Sequence, residues 1–443
     1  MKYKMHKTKF KQTEIGMIPE EWEVGHISDL VRVKAGYAFK SSDFTNHGIG
    51  VIKIKNINDG TVDLINTDKI SNDLFNSLSN DFVLSTGDVV IAMTGATIGK
   101  VGKLRDTDKK YVLNQRVARF ISNNKADLEF VFQYTKTKDW IDSINNYANG
   151  AAQQNISADG IASIAIPIPP ENERKQIAEI LSSFDDKIEL NQQMNKTLEE
   201  IGKAIFKHWF VDFEFQNEEG KPYKSSGGEM VYNEELGKEI PKVWEVSNIG
   251  KELKTILGGT PSRERKEYWI NGNIPWINSG EINKFPIIDA TEYITPDALK
   301  NSATQLMPKR TVVLPFVISI NKQISISILG TEVCGNQSVL GIVEKQGLPS
   351  EYIYYWVEHM KKDIYSWATG GAQQHINKTN VDKTKILIPS KDVMQNYSRI
   401  VRQIFDLVIK NSLEVKTLSQ IRDVLLPKLM SGKIRVPLEE ENG

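Results

Sequence analysis

The sequence predicts an α+β protein: two pseudo-symmetric mixed α/β domains joined by two long helices that form an antiparallel coiled coil. Three observations carry this. "ANGAAQQNIS" at 148–157 returns as "ATGGAQQHIN" at 368–377, 220 residues later. Each half opens with short strand-like runs separated by turn residues and closes with a long stretch of helical period. The two helical stretches carry one apolar seam, matched position for position.

The repeat extends through the chain. "IPEEWEV" at 18–24 answers "IPKVWEV" at 240–246, "VLNQRVARFI" at 112–121 answers "CGNQSVLGIV" at 334–343, and "IAIPIPP" at 164–170 answers "ILIPS" at 386–390. A period of half the protein is a duplication and not a solenoid. Within the first half "GVIKIKNI" (50–57), "DVVIAM" (88–93) and "ARFIS" (118–122) read as strands. The helical stretches follow Pro169-Pro170 in one half and Ser390 in the other, the prolines suiting a first helical turn.

The first helix places Ile177, Leu181, Phe184, Ile188, Asn191, Asn195, Leu198, Ile205 and Trp209 at heptad spacing, with Gly202 at the skipped position. In the second, Tyr397, Val401, Ile404, Val408, Asn411, Val415, Leu418, Leu425 and Leu429 repeat that spacing, with Arg422 at the skip and Ile201 and Ile421 flanking it. At about 37 residues, or ~55 Å, each helix is too long to be covered by one globular domain, so the stripes are expected to bury each other. Asn191 and Asn411 are polar residues at equivalent seam positions. In an antiparallel pair they are expected to meet, hydrogen-bond and fix the register.

The totals set limits. A chain of 443 residues needs more than one core. Its 56 basic and 56 acidic side chains cancel, which argues against coating nucleic acid by bulk charge and leaves local basic patches open. A single cysteine, Cys334, precludes an internal disulfide and suits a reducing cytoplasm. "TVVLPFVISI" at 311–320 is half a membrane span, and the basic start "MKYKMHKTKFK" lacks an apolar h-region after it. No membrane association is expected.

Two similar domains on a helical spacer suit a target with two parts at a fixed gap, and duplex DNA is such a target. With that geometry in hand, the chain resembles the specificity subunits of type I restriction–modification systems. The resemblance rests on "TEIGMIPEEWEV" (13–24), "GDVVIAMTGATIGKVG" (87–102), "NGAAQQNIS" (149–157), "IPIPPENERKQIAEIL" (166–181), "WFVDFEF" (209–215) and "EEGKPYKSSGGEMV" (218–231). It continues in "GGTPSRERKEYW" (258–269), "IPWINSGEI" (274–282) and "LLPKLMSGKIRV" (425–436). The resemblance implies target-recognition domain 1 at 1–168, conserved spacer helix 1 at 169–215, a linker at 216–239, target-recognition domain 2 at 240–389, spacer helix 2 at 390–435 and a tail at 436–443. It further implies double-stranded DNA as target, two modification (methyltransferase) subunits and two restriction (motor-nuclease) subunits as partners. S-adenosylmethionine, ATP and magnesium would be held by those partners and no cofactor by this chain. One departure stands out: "GATIGKVG" of the first half has no glycine loop opposite it in "ISINKQISISILG", so the two domains are expected to read different sequences.

No catalytic signature is present. "GATIGK" (95–100) has three residues between its glycines where a phosphate-binding loop needs four, and Val101 where a magnesium-binding hydroxyl belongs. "IPPE" (168–171) lacks the leading amide and the closing aromatic of the Asn-Pro-Pro-aromatic motif of amino-methyltransferases. The histidines show no metal-ligand spacing, no Cys-x-x-Cys exists, and there is no Gly-x-Ser-x-Gly elbow.

Candidate DNA contacts follow from residue type. Segment 100–116 carries Lys100, Lys103, Arg105, Lys109, Lys110 and Arg116 against Asp106 and Asp108, which reads either as a solvated hairpin edge or as a phosphate-facing loop. Arg263, Arg265 and Lys266 follow "GGTPS", and Lys322 lies in the divergent stretch of the second half. Lys53 and Lys55 are expected on one strand face with Asn56 at its end, where Asn and Lys could read base edges or hold phosphates. Tyr37, Phe39 and Lys40 form an aromatic-basic cluster that could brace the neighbours of an expelled base. Gln153, Gln154, Gln373 and Gln374 of the repeated phrase either bridge loop backbone groups or reach a phosphate or base. The structural role is the stronger, because a join is built alike in both halves whereas base readers differ.

Overall fold

The computed structural model of the chain describes residues 8–105, 107–148, 155–319, 324–345, 347–370 and 373–436. The chain divides into two compact units, Met1–Ile188 with Thr417–Gly443, and Glu189–Lys416.

Among the described residues, the first unit holds a five-stranded and a six-stranded sheet. The five-stranded sheet runs Val83–Leu84, Tyr111–Leu113, Ile49–Ile52, Asp68–Ile70, Phe44–Thr45. Its central pair is parallel, with Leu113 opposite Ile52. The six-stranded sheet runs Arg32–Ala35, Val117–Ile121, Val89–Ala92, Val101–Lys103, Gly60–Val62, Ile57–Asn58. Val89, Val90, Ile91 and Ala92 are all fully buried, so this strand reads as a continuous apolar run covered on both faces.

The second unit repeats the plan. Lys254–Leu257, Val339–Val343 and Val312–Pro315 stand in the order of their counterparts, as do Leu306–Met307, Val333–Gly335, Ile274–Ile277 and Glu292–Ile294. Its parallel pair sets Gly335 opposite Ile277. The halves differ where the sequence does. The glycine loop of the first unit feeds Val101–Lys103, which extends its sheet, whereas in the second unit Ser327–Ile328 closes that edge. The hairpin Phe10–Thr13/Gly16–Pro19 is also repeated, as Met230–Asn233/Lys238–Pro241.

Each globular part ends alike. Ala165–Ile168 pairs with Glu23–His26, and Lys385–Ile388 with Glu245–Asn248. The strand then passes into a long helix, Glu171–Phe206 in one half and Lys391–Met430 in the other. Every seam position of both helices is buried or half-buried, the result expected when a heptad stripe finds a partner. Ile201 and Ile421, which flank the skipped positions, are both exposed, since they lie one residue off the seam.

The helices run antiparallel. Within the first unit Glu173 meets Arg435 while Asp185 meets Arg422. Within the second, Asn195 donates to the Ser412 hydroxyl at 2.9 Å and to the Val408 carbonyl at 3.3 Å. The expected Asn191–Asn411 pair does not form. Asn411 instead donates to Asn195 Oδ1 at 3.0 Å. This register sets positions 193 and 413 opposite each other, past Asn191, and places Asn191 opposite Val415. Asn191 is buried and its Nδ2 has no partner among the described residues.

The skipped heptad positions have a cause. At each one a helix of the globular part lies across the seam. In the second unit Tyr355, from the helix Ser350–Ser366, sits on Gly202, whose added Cβ would lie 2.2 Å from the Tyr355 hydroxyl. That hydroxyl donates to the Glu199 carbonyl at 3.1 Å, and the ring packs 5.6 Å from Phe405. In the first unit the helix Lys125–Tyr134 brings Gln133 to the same place, with Lys136 just after it. There Arg422 replaces Gly202 and Asp185 replaces Phe405. Asp185 is buried and accepts from Gln133 at 2.7 Å, from Arg422 at 2.9 Å and from Lys136. Burial pushes its carboxyl up, but Lys136, then Gln133 and Arg422, outweigh this and hold it below the usual carboxylate range.

A second equivalent site also differs in chemistry. In the first unit the fully buried Trp22 donates from its indole to Glu173 at 2.9 Å, and Arg435 grips the same carboxylate through two nitrogens at 2.5 and 2.8 Å. In the second unit Trp244, Val393 and Phe215 stand at those positions, and Phe215 stacks on Trp244 with ring centres 4.8 Å apart.

Candidate nucleic-acid interface

In each unit one rim of the sheets gathers most of the distinctive loops. In the first unit the parallel strands Ile49–Ile52 and Tyr111–Leu113 end side by side, so the segments that follow, 53–56 and 114–116, emerge together. Asn114 N–H donates to the Ile52 carbonyl, and Tyr37 bridges Asn114 through Tyr37 N–H to Leu113 O and Gln115 N–H to Tyr37 O, both at 2.8 Å. Met93 N–H donates to the Arg116 carbonyl at 3.0 Å, which brings up the glycine loop after Ala92. Ile156 N–H then donates to the Met93 carbonyl at 2.9 Å, which attaches the end of the repeated phrase.

The second unit builds its rim with counterparts of four of these five bonds; the bond from Gln115 N–H to Tyr37 O has none among the described residues. Asn336 N–H donates to the Ile277 carbonyl at 2.9 Å, Gly259 N–H to Gly335 O at 2.8 Å, Phe316 N–H to Ser338 O at 2.8 Å, and Ile376 N–H to Phe316 O at 3.0 Å. Close approach requires glycine at Gly36 and Gly258. An added Cβ would lie 2.4 Å from the Asn114 carbonyl oxygen in one and 2.1 Å from that of Asn336 in the other. Asn114 and Asn336 each accept a backbone N–H two residues on, from Arg116 at 3.3 Å and Ser338 at 3.0 Å. These side-chain turns expose Gln115 and Gln337 at the loop tips.

Several expected contacts take other positions. Lys53 and Lys55 do not share a strand face: the strand ends at Ile52, and Ile54–Asn56 is a 3₁₀ turn. Asn56 is almost wholly buried. Its Oδ1 accepts the Lys53 N–H at 3.0 Å, and its Nδ2 donates to the carbonyls of Asp63 at 3.3 Å and Asn66 at 3.1 Å. Its amide is therefore committed to the loop and not directed at a base. Both lysines reach Asp68, at 2.7 and 3.0 Å, and Lys53 also lies 3.7 Å from the centre of the Phe44 ring. Hydrogen bonds from Lys53, then Lys55, hold the Asp68 carboxyl below its usual range.

Phe39 is likewise a core residue, buried against Tyr37 at 4.9 Å and Phe44 at 6.1 Å. Tyr37 is half-buried beside it, and only Lys40 of that trio is exposed. In the basic segment Lys100 lies 3.8 Å from Asp59, Lys103 pairs with Glu129 in a nearly buried contact, and Arg105 meets Asp186 at 2.8 Å. Lys109 and Lys110 are exposed at the far end of Tyr111–Leu113 from the rim, while Arg116 is exposed at the rim itself.

In the second unit the Arg263 guanidinium lies 3.6 Å from the centre of the Trp269 ring and forms a two-point pair with Glu292. That pairing raises its already high pKa. Arg265 donates to the Tyr268 hydroxyl at 2.7 Å, and Lys266 is exposed. Gln374 pairs through its backbone with Ile318, in the strand pair Gln373–His375/Val317–Ser319. Gln153, Gln154 and Lys322 lie outside the described residues. The repeated phrase is not immediately followed by the last strand, because the short helices Ala158–Ala162 and Lys378–Lys383 come between. The exposed Gln115 and Gln337 were not among the expected contacts, though the repeated Asn-Gln pair marked them.

Among the described residues no three His, Cys, Asp or Glu side chains gather to hold a metal ion, and no helix is long and apolar enough to cross a membrane.

Two copies of one mixed α/β plan, each with a loop rim and each ending in a long seam helix, define a class of DNA specificity protein. The family model described as the type I restriction modification DNA specificity domain matches residues 19–200 and again 241–422, and the chain belongs to that family. It is similar to the specificity subunit of the type I restriction enzyme MjaIX of Methanocaldococcus jannaschii, with 27% identity over 97% of both chains. The HindI specificity subunit of Haemophilus influenzae is 26% identical over 69% of this chain and 77% of that one. The crystal structure of a type I restriction-modification S subunit from M. genitalium shares the fold, with a TM-score of 0.58 and 18% identity over 96% of this chain and 99% of that one.

Proposed function

We propose that the chain is a non-catalytic specificity subunit of a type I restriction–modification enzyme, in which each rim reads one half of an asymmetric bipartite DNA site. The long helices set the gap between the halves. Two modification subunits and two restriction subunits, recruited by this chain, carry the chemistry with S-adenosylmethionine, ATP and magnesium, and the assembly works in the cytoplasm.

The observation that carries this reading is the pair of rims, built by equivalent backbone bonds but lined by different side chains. Lys53 and Asn56 of one correspond to Asn278 and Glu281 of the other, and Arg116 to Ser338. A shared frame with divergent linings suits two domains that read different sequences. On this reading Lys40, Lys53, Lys55, Arg116, Arg263, Arg265 and Lys266 supply cations toward phosphates, while Asn56 and Phe39 support the rim from within.

The test is binding and modification by the chain with its methyltransferase partner. Mapping methylated adenines in host DNA gives the site. The purified complex should retain a duplex bearing it in preference to a scrambled one, with a steep loss of affinity as salt rises. One heptad inserted in each long helix should lengthen the gap and leave both half-sites unchanged; altered half-sites would reject the helices as the ruler. Turnover of DNA by the isolated chain with methyl donor, ATP and magnesium would overturn the non-catalytic assignment.

A further inference from the structure

We propose that Gln115 and Gln337 are matched contacts to the phosphodiester backbone of DNA, one in each domain, and that they dock the rim without reading sequence. The inference rests on the DNA-reading role proposed above. Both side chains are exposed at the tip of the same turn. Both turns are held by an asparagine side chain and by a glycine whose close approach admits no Cβ. So much shared construction around an exposed polar residue places one amide at one spot in both rims.

The identity of the residue then bears on its target. Domains that read different bases need different readers at equivalent places, and the neighbours of these glutamines do differ: Arg116 against Ser338, Lys53 against Asn278. The glutamine is the same. What two unlike half-sites share is the phosphate-sugar chain, and contacts to it fix register and carry no sequence information.

The geometry at Gln337 narrows the chemistry. Its Oε1 accepts the Thr260 hydroxyl at 2.5 Å, which ties the amide oxygen to the rim while its NH₂ hydrogens make no hydrogen bond among the described residues. A glutamine that reads adenine uses both its oxygen and its nitrogen. One that only donates fits an acceptor such as a phosphate oxygen.

The test uses the full chain in complex with its modification subunits, a fluorescent duplex carrying the mapped site, and a scrambled duplex of the same length. Preference of the wild-type complex for the mapped duplex is the precondition, and its absence rejects the DNA-reading role itself. Given that preference, Q115A and Q337A should each weaken binding about three- to tenfold on both duplexes alike, the size of one lost hydrogen bond. The slope of affinity against salt should stay unchanged, because a neutral amide displaces no counterion. The isosteric variants Q115E and Q337E should lose more than the alanine variants, since a carboxylate repels phosphate. Loss confined to the mapped duplex, relaxed preference at one base, or glutamate variants that bind like wild type would each overturn the proposal. Thermal melts that match wild type confirm that the rim remains folded.

Discussion

Asn411 donates its side-chain amide to Asn195 and not to Asn191, which lies one helical turn away at the position equivalent to its own. The seam therefore holds a satisfied polar cluster of Asn195, Asn411 and Ser412 and, beside it, a buried Asn191 amide whose donor is open among the described residues.

Opposite outcomes follow for the two asparagines. Asn191→Val removes an unsatisfied donor and sets valine against Val415, so stability should rise by about 1 kcal/mol. Asn411→Val strips Asn195 Oδ1 of its donor and should cost about 1–3 kcal/mol. Urea unfolding of both variants checks the signs; a loss from Asn191→Val would mean that its amide is satisfied in solution.

Arg435 is the cation that balances Glu173, a fully buried carboxylate. Arg435→Ala should destabilise the first unit by about 3–5 kcal/mol, because a buried charge is left with only the Trp22 indole. The pair Glu173→Val with Arg435→Phe copies the apolar solution of the second unit and should recover most of that loss. Differential scanning calorimetry of the single and double variants measures the coupling.

Gly202→Ala should destabilise the second unit by about 1–3 kcal/mol, since the new methyl meets the Tyr355 hydroxyl. Removing that hydroxyl with Tyr355→Phe should relieve part of the cost in the double variant, although it forfeits the bond to the Glu199 carbonyl. Equal melting temperatures for wild type and Gly202→Ala would show that the helix Ser350–Ser366 shifts freely on the seam.

Acid should weaken the first unit through Asp185. Its folded pKa lies below the ordinary value of 3.8, so its contribution is present above that value and is lost as pH falls through the folded one. Asp185→Asn should lower stability at neutral pH and flatten the decline below about pH 4. Parallel urea titrations at pH 7 and pH 3 compare the two slopes.

The heptad seam was legible because its period is enforced by burial along the whole helix. Its register was not: the equivalent asparagines suggested a pair between 191 and 411, whereas the bond from Asn411 to Asn195 shows an offset of one turn that spacing alone does not encode. The alternation in "GVIKIKNI" promised a strand, but Asn56 captures the backbone of Lys53 and turns the chain after Ile52. The basic count of segment 100–116 was correct as composition. It could not foresee that Asp59, Glu129 and Asp186, remote in sequence, would meet three of those cations. The rim was half legible: the repeated Asn-Gln pair was visible, but its neighbours at Gly36 and Gly258 acquire meaning only from the parallel strand ends.

The discontinuity of the first unit has a consequence for synthesis. Residues 417–436 leave the ribosome after the whole of the second unit, so the middle of the chain can finish folding before the beginning does. Until then Trp22 and Glu173 wait without Arg435, and the nascent first unit carries an unneutralised acid in its interior. A chain terminated after Lys416 but before Arg435 therefore holds every residue of the second unit, while its first unit lacks the cation that closes over Glu173.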